Sequence, residues 1–147
     1  MKIKLMTLGL SCFLTTTAFA FPCYITLVKD SCWTNYDVTV QVVDSQKEGA
    51  LVTVKVPKGK SWTREKFDCQ TRQGLNYKAT FLPYIWESEK DKVYTNKTTL
   101  FLPETISKGA QAWNIDVCYP EKFAEVPLPA DATANCKCDF ASIPPVK

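Results

Sequence analysis

Residues 36–56 read YDVTVQVVDSQKEGALVTVKV. In an extended chain, successive side chains point to opposite faces. Val38, Val40 and Val42 therefore share one face, with Thr39 and Gln41 on the other. Asp44 to Gly49 is a polar turn. Beyond it Val52, Val54 and Val56 alternate with Thr53 and Lys55. Two alternating runs around a polar loop predict an antiparallel hairpin with one face in the core and one in water.

The same period extends in both directions. Tyr24 to Val28 is a short β-rich run, and Pro57-Lys58-Gly59-Lys60 is a turn. Ser61 to Cys69 alternates poorly and reads as an edge strand. Leu75 to Leu82 places Tyr77, Ala79 and Phe81 on one side and stops at Pro83. Glu87 to Lys92 is a charged loop, and Val93 to Leu102 reads as one strand ending at Pro103. Glu104 to Gly109 suits a single helical turn. Trp113, Ile115, Val117 and Tyr119 then alternate with Asn114, Asp116 and Cys118 in a last strand. About seven strands with almost no helical period predict an all-β fold, a single antiparallel β-sandwich. A small barrel is the alternative. Cys69, Trp86 and Cys118 follow one another as immunoglobulin landmarks do, but Asp116 stands where that pattern needs tyrosine, so the likeness is one of architecture only.

Outside this body lie two segments of different character. Residues 1–20 begin with the charges of Met-Lys-Ile-Lys, continue through the short apolar run Leu5–Leu14, and end in Ala18-Phe19-Ala20. That layout predicts a secretory signal peptide cut before Phe21, in preference to an anchor or a lipid-bearing Cys12. The cut leaves 127 of the 147 residues. It removes Lys2 and Lys4, so Lys+Arg falls from 18 to 16 against 15 Asp+Glu and the net charge from +3 to about +1. No polybasic patch remains to attract nucleic acid or an anionic membrane, and no later segment has transmembrane length. Residues 21–119 are the expected sandwich domain. Residues 120–147, with five prolines, are an extended arm.

Six cysteines follow the expected cut: Cys23, Cys32, Cys69, Cys118, Cys136 and Cys138. An even number in an exported chain indicates disulfides, with 15 possible pairings. A bond between Cys136 and Cys138 would close a small strained ring, which leaves 12. The expected arrangement sends each of these two to a different cysteine of the body, fastening an arm with few apolar residues. A thiolate site for a soft ion such as Cu(I), or a redox pair, are the alternatives.

The chain has no histidine, which removes Ser-His-Asp and Cys-His catalysis and histidine-ligated metals. Glu87, Glu89 and Asp91 are interleaved with Lys90 and Lys92 as in a solvated loop, and Asp116 lies on a wet face. Lys58, Lys60 and Ser61 belong to a turn rather than a Ser-Lys site. No cofactor motif is present, and a non-enzymatic role is expected. Trp33, Trp62, Tyr84, Trp86 and Trp113 are the aromatics to weigh, with Trp113 suited to the core. Trp62, Tyr84, Trp86 and Phe123 are the candidate binding residues. Phe123 to Pro129 is apolar enough to cover a strand edge of its own domain or to dock on a neighbour.

These features together predict an exported, disulfide-stabilised, non-catalytic binding or structural protein of the bacterial cell envelope, periplasmic or secreted. A protein-interaction subunit of an envelope or secretion assembly fits best. A carbohydrate-binding module using exposed aromatics, or a copper or redox protein using Cys136 and Cys138, are the alternatives.

Overall fold

The computed structural model describes Cys12 and residues 19–146; the expected signal peptide lies largely outside these. Among the described residues eight strands form: β1 (Phe21–Lys29), β2 (Asp37–Asp44), β3 (Ala50–Val56), β4 (Trp62–Cys69), β5 (Gly74–Leu82), β6 (Tyr94–Thr95), β7 (Leu100–Phe101) and β8 (Trp113–Tyr119). They make two packed sheets. The smaller has the order β4-β1-β8; the larger has the order β3-β2-β5-β6, with β7 also on β5. This is the expected sandwich. Among the described residues no helix is long and apolar enough to cross a membrane.

The hairpin read from residues 36–56 pairs in the register its valines demand. Val38 faces Val56, Val40 faces Val54 and Val42 faces Val52, with a bulge just beyond Val42. Val38, Val40, Val42, Val54 and Val56 are fully buried. The turn to β4 closes with a 3.0 Å bond from Lys60 N–H to the Pro57 carbonyl. It needs a positive φ at its third residue, which Gly59 supplies at 83°. From the smaller sheet, Ile25, Leu27, Phe67, Ile115 and Val117 complete the core. Trp33 fills one end of it, its ring 4.8 Å from Phe81 and 4.9 Å from Tyr119 in edge-on contacts.

Three features depart from expectation. The first and last strands, β1 and β8, run parallel, Cys23 opposite Trp113 through Lys29 opposite Tyr119. A parallel pair needs a long crossover, and here most of the domain is that crossover, so no local signal announces it. Second, Val93 to Leu102 is broken into β6 and β7. At the break the Asn96 carboxamide replaces strand pairing: its Oδ1 accepts from Tyr77 N–H at 2.9 Å, and its Nδ2 donates to the Thr98 carbonyl at 2.6 Å and to Asn76 Oδ1 at 3.2 Å. Third, residues 104–109 form bends and turns, not a helical turn; a short 3-10 turn occurs instead at Glu87–Glu89, inside the charged loop.

The three disulfides answer the pairing question. Cys23 bonds Cys69 within the core, across the neighbouring strands β1 and β4. Cys136 reaches Cys32 over 104 residues, and Cys138 reaches Cys118 over 20. Each half of the Cys-Lys-Cys pair therefore fastens the arm to a different part of the body. Cys69 and Cys118 are not partners, and Trp86 is 52% exposed, so the immunoglobulin pattern fails in space as it does in sequence.

Candidate functional site

The sequence-level candidates divide by burial. Phe123 is not a surface anchor. It is 2% exposed and packs on Tyr119 and Tyr77, with ring centroids 5.4 and 6.2 Å away. The reason lies in its backbone. The start of the arm bonds along β6, with Lys97 N–H to the Lys122 carbonyl at 3.0 Å and Ala124 N–H to the Thr95 carbonyl at 2.8 Å. The arm thus covers the outer edge of β6, and Phe123 turns into the core beneath it.

Trp62 is half-buried on β4, and the Arg64 guanidinium lies over its ring at 5.4 Å. Tyr84 and Trp86 are exposed on the loop that follows β5, the Tyr84 hydroxyl near Asp91. Trp113 is half-buried, edge-on to Phe21 at 4.7 Å. The structure does not bring Trp62, Tyr84 and Trp86 into one concavity: none lines the main cleft or the three smaller hollows. In the acidic loop, Glu89 accepts from the Tyr94 hydroxyl and pairs with Lys92 at 3.4 Å. These bonds hold the Glu89 carboxyl below the usual carboxylate range.

Asp30, Cys32 and Cys136 gather an oxygen and two sulfurs within 4.8 Å, a metal-like grouping. The two sulfurs are bonded to each other, which leaves no thiolate to offer. Asp30 caps the 3-10 turn Ser31–Trp33 by accepting from Cys32 N–H at 2.9 Å. Burial raises its pKa, opposed by that bond.

The feature sequence reasoning did not find is a cleft of about 700 Å³ between β8 and the chain from Asn96 to Pro103. The sandwich is closed on the opposite side, where β4 lies against β3. On the cleft side the larger sheet is four columns wide and the smaller only three. The cleft occupies the place of a fourth strand. Its apolar lining comes from Leu100, Phe101, Leu102, Trp113, Ile115 and Val117, with Tyr77 beneath. Phe101 is 67% exposed and Leu100 37%. Burial pushes the Tyr77 hydroxyl up to about 12.

One wall of the cleft is a strand edge. β8 pairs with β1 on one side and, among the described residues, with no strand on the other. Alternate residues of a strand turn their N–H and C=O groups away from each neighbour. Beyond β1, no backbone or side-chain partner engages Trp113 to Val117 among the described residues; only Cys118 and Tyr119, at the far end, accept further bonds. Leu100-Phe101-Leu102 could have signalled the site in the sequence. Three consecutive apolar residues break a period-2 pattern, so one must face outward. Comparison of the chain with known protein families, characterised proteins and solved structures finds no match.

Proposed function

We propose that the protein is an exported, disulfide-braced, non-catalytic binding protein of the cell envelope that works by holding a segment of another protein in the cleft beside β8. The observation that carries this reading is the open side of the sandwich, an apolar cleft walled by the outer edge of β8, which has no strand partner among the described residues. Exposed apolar surface beside a bare edge is an aggregation hazard in a protein with no use for it. Here the β6 edge is covered by the protein's own arm, β3 and β4 lie against each other, and the β8 edge is left open among the described residues. The three disulfides suit an oxidising compartment outside the cytosol.

The test is a photo-reactive side chain at Phe101 in cells of the source organism, with Leu82 as a control, since Leu82 is 51% exposed and lies outside the cleft. The reading expects one discrete adduct with another polypeptide from position 101 and none from position 82. That adduct must disappear when Leu100→Arg, at a cleft residue that is 37% exposed, fills the cleft. Equal labelling at both positions, or adducts indifferent to Leu100→Arg, would sink it.

A further inference from the structure

We infer that the occupant of the cleft is an extended strand of the partner, hydrogen-bonded to β8 as a fourth strand of the smaller sheet, apolar at alternate positions and carrying a carboxylate at the end next to Lys97 and Lys122. This rests on the binding role proposed above and deepens it.

The backbone argument comes first. Trp113 to Val117 presents unmade hydrogen bonds along one side, over about 17 Å at the usual strand rise. An added strand satisfies these groups in a regular way, as in recognition by β-augmentation. A helix has no free backbone groups to give along its length, so it leaves the edge unsatisfied. The period of a strand also matches the floor. An incoming strand directs every second side chain inward, onto Leu102, Ile115 and Val117, and the others outward.

Charge sets the polarity. The bond from Lys97 N–H to the Lys122 carbonyl places both lysines at the end of the cleft where β8 finishes, and both line it. At the opposite end stand Phe101, Pro103 and Trp113, without charge. The one carboxylate in the lining, Asp116, lies on the exposed face of β8. Two cations against one anion favour an acidic group at the lysine end.

The probe is a labelled synthetic peptide of about seven residues, valine alternating with threonine and ending in glutamate, the length of an ordinary strand. Three companions accompany it: one N-methylated on the amides that face β8, one N-methylated on the alternate set, and one with lysine for glutamate. The expected result is binding by the first peptide with slowed amide exchange within 113–117. Methylation of one set abolishes binding while the other is tolerated. The lysine peptide binds about fivefold or more weakly, and Lys97→Glu with Lys122→Glu reverses that preference.

No binding by any of the peptides would overturn the inference, as would binding without protection of 113–117 or equal loss from both methylated sets. Protection of 113–117 in the free protein with dimeric sedimentation would also overturn it, making a second copy of the chain the occupant. A discrete adduct at position 101 alongside any of the peptide failures would leave the binding role standing and remove only the strand mechanism.

Discussion

The ammonium nitrogen of Lys29 stands 2.7 Å from the carbonyl oxygen of Tyr36 and donates to it. The same nitrogen donates to the Pro57 carbonyl at 3.0 Å and the Thr34 carbonyl at 3.4 Å. Lys29 is 3% exposed, at the end of β1. Its three N–H groups meet three carbonyls from the entry to β2 and the turn after β3, and so tie both sheets at one corner. Lys29→Met keeps the stem but leaves three inward carbonyls without a donor. The expected loss is about 3 kcal/mol in a denaturant titration with the disulfides intact.

The same residue sets a pH signature. Burial lowers its pKa from 10.5 to about 8, with Asp37 opposing. Between those values the unfolded chain still holds a proton that the folded chain has released, so stability rises with pH across that window. Below about 8 both states are protonated and the dependence on this group vanishes. Denaturation midpoints measured in steps from neutral to mildly alkaline pH are expected to climb in the native protein and to stay flat in Lys29→Met. A slope shared by both proteins would assign the effect elsewhere.

Above pH 10 the tyrosines reverse the trend. Tyr77 is pushed up to about 12 by burial, and Tyr94 and Tyr119 are raised further, chiefly by burial. The unfolded chain loses these protons near 10 while the folded chain keeps them, so their contribution is whole below 10 and is lost as pH rises through the folded values. Tyrosinate absorbance is expected to appear in two phases, the later one coinciding with loss of near-ultraviolet circular dichroism. Tyr119 adds a control, because its buried hydroxyl has no hydrogen-bond partner among the described residues. Tyr119→Phe therefore breaks no bond, and its stability should stay within about 1 kcal/mol of the native protein or exceed it.

The arm gives a fourth expectation. Cys138→Ser with Cys118→Ser, or Cys136→Ser with Cys32→Ser, each removes one staple and should lower stability by about 2–4 kcal/mol. Removing both leaves Cys23–Cys69 to brace the core, since that bond lies between β1 and β4 and does not touch the arm. The doubly unstapled protein should lose residues beyond about Glu125 to limited proteolysis and keep its sandwich, because Phe123 still anchors the arm's start in the core. Equal protease resistance with and without the staples would mean that the arm is held by packing alone.

The parts of the fold legible in the sequence are those with local period. Val38 to Val56 announced both pairing and register, and Trp113 to Tyr119 announced its inward face. The pairing of β1 with β8 was hidden because the partners are separated by most of the domain, and sequence alternation says which face is buried but not which strand lies alongside. Phe123 to Pro129 is apolar enough to cover an edge of its own domain or to dock on a neighbour, and only the bonds to Thr95 and Lys97 show that its start takes the first course, on β6, with the Phe123 ring inward. Leu100-Phe101-Leu102 implies an outward apolar side chain, but the cleft beside it comes from a difference in sheet width, a property of the assembled sandwich.

Phe101 separates folding from binding. Its ring is mostly in solvent, and the bond from Leu102 N–H to the Gln73 carbonyl holds the local backbone without help from that side chain. Phe101→Ser should leave the denaturation midpoint nearly unchanged, within about 0.5 kcal/mol. Val40→Ala, by contrast, empties a fully buried position and should cost about 2 kcal/mol. The two substitutions should rank in the opposite order for function. Phe101→Ser should weaken capture of the partner about tenfold at unchanged stability, as expected for an aromatic anchor in an apolar cleft. Val40→Ala should bind normally at temperatures where it remains folded. If Phe101→Ser instead unfolds the protein, the ring belongs to the core's support, and the cleft loses its best claim to be a site.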